Sequence, residues 1–449
     1  MTPLEETTNA QRAAADPAVS AFVAANAGAG KTRVLTDRVA RLLLAGGRPD
    51  KILCITFTKA AAAEMATRLF KLLGEWALAG DEELAGKLDE LEGAGKTRDA
   101  NELAQARRLF ARALETPGGL KIQTIHSFCE SVLKRFPLEA GVAPGFSVAE
   151  ESEASALAHA AIDKIARRAL TDATLGPALR RLAGRRAPGD LRALLAARMT
   201  GRQGLDAALA ASGGWEQLTA EIARALGADP SHTEETILAD IAGAVSDDDM
   251  RALQSALLTG GKTAVAAANG PAAAFLAASS PQARAHALTE IFLTQSGTPR
   301  ARIVDAPAKK AAPWAEEFCR RAQDAIVALT DELKTVRIFA DTQAFLTLLE
   351  AAAGAYQAMK AERARLDYDD LIAYARRLFD SGENAAWVLY KLDQGLDHIL
   401  VDEAQDTSPA QWRVIEAPLK EFFSGEGARR QGRTFFAVGD QKQSIYSFQ

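Results

Sequence analysis

Short apolar, β-branched runs at Ser20–Ala25 (SAFVAA), Lys51–Phe57 (KILCITF) and Leu120–Ile125 (LKIQTI) alternate with longer stretches of helical periodicity up to about Pro137. That alternation predicts parallel strands covered by helices. From about Val148 to Glu362, Ala, Leu and Arg recur at helical spacing with few strand-like runs, which predicts a helical domain. Two stretches inside it, Gly260–Pro281 and Ser296–Pro313, are rich in Gly, Pro or small residues and read as loops. Strand signals return after Leu366, in DHILVDE (Asp397–Glu403) and RTFFAVGD (Arg433–Asp440). The expected architecture is therefore α/β: residues 1–147 and 363–449 build one sheet domain, interrupted by a helical insertion over 148–362. The chain stops at YSFQ, directly after a strand-and-turn signal, and reads as truncated there.

Composition narrows the chemistry. At 449 residues and 48% hydrophobic, the chain can bury more than one core. Its net charge of -5 leaves any contact with phosphate backbones to a local basic groove. Cys54, Cys129 and Cys319 are far apart and the five histidines scattered, so no zinc or iron–sulfur pattern is present. Sparse cysteine and a polar N-terminus, MTPLEETTNAQ, suit the cytoplasm. Residues Thr263–Ala283 are uncharged, but Asn269, Gly270 and Pro271 break them, which argues against a membrane span.

The segment AFVAANAGAGKTRVLTDRVARLL predicts a strand, a loop at Asn26–Gly30 and a helix opening at Lys31. Gly28 and Gly30 let backbone amides close around phosphate oxygens, and the helix start adds a positive dipole end. Lys31 would reach the β- and γ-phosphates and Thr32 would ligate Mg²⁺. Ala25 stands where the usual loop pattern has glycine. Similar words recur at Gly93–Arg98 (GAGKTR) and Gly260–Thr263 (GGKT), but helical patterns precede both, so the strand–loop–helix context belongs to the first alone.

In LDHILVDEAQD, an apolar strand runs straight into Asp402 and Glu403. Ligands of open α/β sheets bind at such carboxyl ends. Beside a phosphate loop, Asp402 is expected to hold Mg²⁺ and Glu403 to polarise an attacking water; in isolation the pair would be a surface turn. Asp247–Asp249 has no accompanying ligands and reads as a solvated loop or helix cap.

Taken in order, NAQR (Asn9–Arg12), AGAGKTR (Ala27–Arg33), TFTKAAAAEM (Thr56–Met65), TIHSF (Thr124–Phe128), DYDDL (Asp367–Leu371), DEAQD (Asp402–Asp406) and GDQKQSIYSF (Gly439–Phe448) resemble the motifs of the UvrD/Rep-type superfamily-one helicases. Lys59 and Ala60 replace the Asn-Lys pair of the UvrD version, and a Lys precedes the motif glutamine Gln443, as in the RecB/AddA branch. The resemblance implies a RecA-like P-loop NTPase fold and an ATP- and Mg²⁺-dependent 3′ to 5′ DNA helicase motor of a double-strand-break repair helicase-nuclease. It also implies single-stranded and duplex-end DNA as substrate and a heterodimer with an AddB-type partner.

By the same resemblance, Gln11 and Arg33 match adenine-contacting positions, and Ala27, Gly28, Ala29, Gly30, Lys31 and Thr32 match the nucleotide loop. Lys31, Asp402 and Glu403 match the hydrolysis centre, with Gln405 and Gln443 as sensors of the γ-phosphate. Phe57, Thr58, Lys59, Thr124, His126, Tyr446 and Phe448 lie in motifs that line the single-strand path. Aromatic faces and small donors suit sequence-blind strand binding on physical grounds too. Thr124 and His126 also read as an ordinary helix start, and Tyr446 and Phe448 as core packing. Arg180, Arg181, Arg185, Arg186, Arg192, Arg198 and Arg202 read as a solvated helix face, with a duplex contact as the alternative. Family members carry arginine fingers on a second sheet domain, so these residues alone are expected to bind nucleotide but hydrolyse it feebly. Two other classes stay open: a P-loop ATPase acting on a non-DNA partner, and a scaffold that keeps only the fold.

Overall fold

The computed structural model describes residues 3–24, 30–93, 98–185, 187–380, 382–423, 432–440 and 442. Five parallel strands form one sheet: β1 (Ala21–Ala24), β2 (Ile52–Thr56), β3 (Lys121–Thr124), β4 (His398–Val401) and β5 (Thr434–Gly439), in spatial order β1-β5-β4-β2-β3. β2 and β4 are buried along their whole length, as β-branched strands of a sheet covered on both sides should be. Alternate residues feed two cores. Leu53, Ile55, Ile399 and Val401 pack with α4 (Ile125–Arg135), α6 (Tyr368–Asp380) and the helix Pro409–Phe423. On the other face Ile52, Cys54, Leu400 and Phe436 meet α2 (Lys31–Leu44) and α3 (Lys59–Leu78). Each fully buried aliphatic side chain contributes roughly 1.5–3 kcal/mol, so both faces matter to stability.

The chain divides into two compact units, Met1–Ala154 with Lys360–Gln449, and Ser155–Met359. The second is helical and holds two apolar cores strung along one long helix, α5 (Trp314–Glu362). Ile326, Leu333 and Val336 enter one core, and Leu348, Leu349 and Tyr356 the other. At 1.5 Å per residue the whole helix runs for roughly 70 Å.

One expectation for this unit fails. Gly260–Pro281 is not a loop, because helices Lys262–Ala267 and Ala273–Ala277 flank a π-turn over Ala268–Ala272. The wider turn takes up Pro271, and the alanines bury Ala268 and Ala272 completely. The arginine-rich run is the solvated helix face it was read as, with Arg180, Arg185, Arg192 and Arg198 exposed, and four of its members also form ion pairs within the unit. Arg181 and Arg185 both pair with Glu234 and Asp341, Arg192 with Asp163 and Arg202 with Asp206; Arg186 lies outside the described residues. Asp247–Asp249 opens a helix capped by Ser246, as read.

The second phosphate-loop word is also settled locally. The Gly261 amide donates to the Asp305 carboxylate at 2.6 Å, and a Cβ on Gly260 would fall 2.6 Å from the same group. The protein's own anion occupies the place a phosphate would need. Residues 94–97 of the first decoy lie outside the described residues, and Gly93 caps the end of helix Asp81–Glu92.

His398 opens β4, buried, with Nδ1 2.9 Å from the Thr434 hydroxyl on β5. Burial holds its pKa down at about 4; Asp397 pulls the other way and Arg38 adds to the depression. A pKa depressed on folding gives stability that is present above the ordinary value of 6.5 and lost as pH falls through about 4. We expect His398 to account for about 2–3 kcal/mol of destabilisation between pH 7 and pH 4. Urea unfolding at both pH values, with His398→Gln alongside, checks this. The variant should lose correspondingly less stability on acidification, and equal losses would remove His398 from the account.

Candidate nucleotide site and strand cleft

β1 leads toward the glycine loop. Ala27, Gly28 and Ala29 lie outside the described residues, and the description resumes at Gly30. Gly30 caps α2 with φ 79°, ψ 28°, a left-handed conformation that suits glycine. Space matters here as well, since a Cβ at residue 30 would come within 3.2 Å of Gln11 Nε2. Among the described residues no side chain caps α2, and its first turn carries no acid, an arrangement that favours an anion at the helix start. Thr32 is half-buried in that turn; Arg33 is exposed, 3.7 Å from Asp37.

Gln11 reaches Gly30 because its helix, α1 (Pro3–Ala14), is tied down from below. Arg38, fully buried on α2, donates to the carbonyls of Ala14, Asp16 and Val19 and lies over the Phe436 ring. Burial lowers its pKa to about 10, still charged at neutral pH. Arg41 adds a bond to the Arg12 carbonyl at 2.6 Å. Sequence reading did not single out either arginine.

The acidic strand end meets the start of α2. Lys31 Nζ donates to Glu403 Oε2 at 2.9 Å, although 372 positions separate the two. Glu403 stands at φ 48°, ψ 50°, left-handed without being glycine. Such a conformation costs on the order of 1–3 kcal/mol and persists where surrounding bonds enforce it. Here Lys31 and Gln405 Nε2, at 2.6 Å, both hold the same carboxylate oxygen. Gln405 Oε1 in turn accepts from the Asp440 amide at 2.9 Å. The approach is close enough that a Cβ on Gly439 would lie 2.9 Å from that oxygen. Gln405 thus bridges the ends of β4 and β5.

Asp402 is buried, and its amide donates to the Ile55 carbonyl on β2. Burial raises its pKa to about 6, helped by the Glu403 charge and opposed by the Glu403 amide and Lys31. A carboxylate held at that cost gains from a nearby cation. Asp402 and Thr32 supply oxygen donors only, the chemistry of Mg²⁺ rather than of zinc. Among the described residues no cluster of three or more His, Cys, Asp or Glu could hold a metal, so phosphate oxygens and water would have to complete the shell.

A second site lies at the ends of β2 and β3. Phe57, Lys59, Thr124, His126 and Tyr368 line a cleft of about 380 Å³, with Glu130 and Glu150 also on its wall. The Thr58 hydroxyl caps α3 through the Ala61 amide, and the Thr124 hydroxyl caps α4 through the Ser127 amide. Both hydroxyls therefore serve as helix caps, each worth about 1 kcal/mol. His126 packs edge-on against Tyr368, ring centres 5.0 Å apart. Burial lowers the His126 pKa, partly offset by Asp369, which keeps the ring neutral at physiological pH. Tyr368 was missed as a site residue, although it lies within the DYDDL word. Gln443, Tyr446 and Phe448 lie outside the described residues.

The chain matches known proteins over nearly its whole length. The UvrD/REP helicase N-terminal domain matches residues 6–449. The chain is 28% identical to the AddA polypeptide of the ATP-dependent helicase/nuclease of Desulfitobacterium hafniense, covering 98% of this chain and 32% of that protein. It is 27% identical to the protein of the same name from Pelotomaculum thermopropionicum, over 95% of this chain and 33% of the relative. A shorter match, 37% identical over 30% of this chain, is to the Desulforamulus reducens protein of that name. The chain thus spans about a third of the length of the first two relatives. With its parallel sheet, its helical unit and a match over nearly its whole length, the chain belongs to the UvrD/REP helicase N-terminal domain family.

Proposed function

We propose that this chain is the ATP-binding portion of a DNA helicase motor that couples ATP hydrolysis to 3′ to 5′ movement along single-stranded DNA, within a repair helicase-nuclease. The observation that carries the reading is the 2.9 Å contact between Lys31 and Glu403, which joins the helix start after β1 to the carboxylates after β4. Support also comes from the aromatic cleft in the same compact unit, built from Phe57, His126 and Tyr368. A P-loop ATPase without DNA would have no use for that cleft, and a scaffold no use for the strained Glu403.

The residues divide the work as follows. Gln11 and Arg33 face the adenine, and Ala27 to Thr32 cradle the phosphates in a RecA-like arrangement. Bound Mg²⁺, held through Thr32 and Asp402, would neutralise charge developing on the phosphates. When nucleotide arrives, Lys31 moves its hydrogen bonds from Glu403 to phosphate oxygens. Glu403 is then released to orient and deprotonate water. Gln405, bonded to both Glu403 and the Asp440 amide, transmits that release to the segment holding Gln443, Tyr446 and Phe448. Thr58, Lys59 and Thr124 line the strand path with Phe57 and His126, where each stacked base contributes about 1–3 kcal/mol. The relatives' name extends the proposal to a second polypeptide, an AddB-type partner.

Three outcomes follow for the complete protein. Lys31→Ala should abolish binding of a fluorescent ATP analogue; unchanged affinity would refute the loop assignment. Glu403→Gln should cut steady-state ATP hydrolysis by roughly 10²-fold or more while nucleotide affinity stays within a few-fold. Normal turnover would remove Glu403 as the base. His126→Ala should weaken binding of a labelled single strand by about 1–3 kcal/mol in an anisotropy titration, with ATP affinity unaltered. If strand affinity does not move, the cleft is not the path.

A further inference from the structure

The DYDDL word has no part in hydrolysis, yet its acids form the most deeply buried ion cluster among the described residues of the sheet unit. Lys360, in the last turn of α5, is 1% exposed, and its ammonium lies 2.5 Å from both Asp367 Oδ2 and Asp370 Oδ2. The two carboxylates are also locked to each other's backbone. The Asp370 amide donates to Asp367 Oδ1 at 2.8 Å, and the Asp367 amide to Asp370 Oδ2 at 3.0 Å. This is a reciprocal cap on the start of α6, with aspartate in both roles. Two carboxylates this deeply buried need cationic and amide donors to remain charged.

The two residues enclosed by this cap are Asp369 and Tyr368, whose ring packs against His126 in the strand cleft. Between Lys360 and Asp367 the backbone turns through Ala364 at φ 49° and pairs Arg365–Leu366 with Ser147–Val148, which puts Val148 and Glu150 on the cleft wall. One buried ammonium therefore closes the base of the segment that forms one side of the cleft.

We infer that Lys360 is a positioning residue for single-stranded DNA: it fixes the start of α6 so that Tyr368 and His126 present a preformed stacking surface. The inference rests on the reading of this cleft as the strand path. Lys360 itself is too deeply buried to touch a phosphate, so its effect passes through Tyr368.

The test uses the complete protein and an oligo(dT) probe, reading the strand concentration that half-maximally stimulates ATP hydrolysis and the KM for ATP. Lys360→Met removes the charge at similar volume. Because two buried carboxylates without a cation can unfold the region, a second variant, Lys360→Met/Asp367→Asn/Asp370→Asn, removes all three charges and retains capping side chains. Both should raise the half-stimulating strand concentration about tenfold or more, with the KM for ATP and the basal rate within twofold. In a Tyr368→Ala background the same substitutions should add little, since coupled residues are non-additive. A folded triple variant with wild-type strand dependence overturns the inference, as does a full effect persisting without Tyr368. If His126→Ala and Tyr368→Ala leave strand binding unchanged, the cleft reading falls and the inference with it. If they weaken it and the Lys360 variants do not, the inference alone falls.

Discussion

The bond between the Lys31 ammonium and the Glu403 carboxylate is where two distant stretches of sequence become one site. It exists because β1 and β4 are parallel and separated by the single strand β5, so that their carboxyl ends open on the same side of the sheet about two strand spacings, roughly 10 Å, apart. A lysine extended from the first helical residue after β1 covers that gap. The left-handed backbone of Glu403 turns its carboxylate back to meet the lysine, and Gln405 fixes it from the other side. Without the strand order, the lysine and the acids would be unrelated surface charges.

Electrostatics at these strand ends suit the arrangement to accepting a polyphosphate. Asp402 carries a raised pKa because it is buried beside another acid, and Glu403 occupies the lysine that phosphate would claim. A strained backbone, an unfavourably buried carboxylate and a substituted ion pair are three separate costs that a magnesium-bound triphosphate could relieve together. The cleft at the ends of β2 and β3 is built differently, with Phe57, His126 and Tyr368 beside Lys59, Glu130 and Glu150, capped helix starts, and a histidine whose pKa burial lowers.

Much of the sheet could be read from the chain because its strands are short β-branched runs bounded by turn residues, and the order of charged words along them located both strand ends. Three kinds of feature were not legible. Local propensity gave Gly260–Pro281 as loop, whereas packing of alanines against neighbouring helices favoured a helix with a π-turn at Pro271. The basic run Arg180–Arg202 was legible as a solvated helix face but not its ion pairs, because the acids, Glu234 and Asp341, come from distant positions. Arg38 and Lys360 escaped notice because a charged residue in a helical pattern is normally assigned to the surface, and nothing local marks the few that are buried. Tyr368 became visible only once α6 was placed beside His126.

Arg38 also alters what the leading helix is for. Its guanidinium lies in the core under the sheet, and the carbonyls of Ala14, Asp16 and Val19 are what make a charge tolerable there. Trimming the first twenty residues would therefore strand a cation in the interior, beside Phe436 and the central strands, in addition to discarding Gln11. The N-terminal segment is thus a structural counterpart of the sheet as well as the carrier of Gln11, and shortened versions of this chain would lose stability through an uncompensated buried charge.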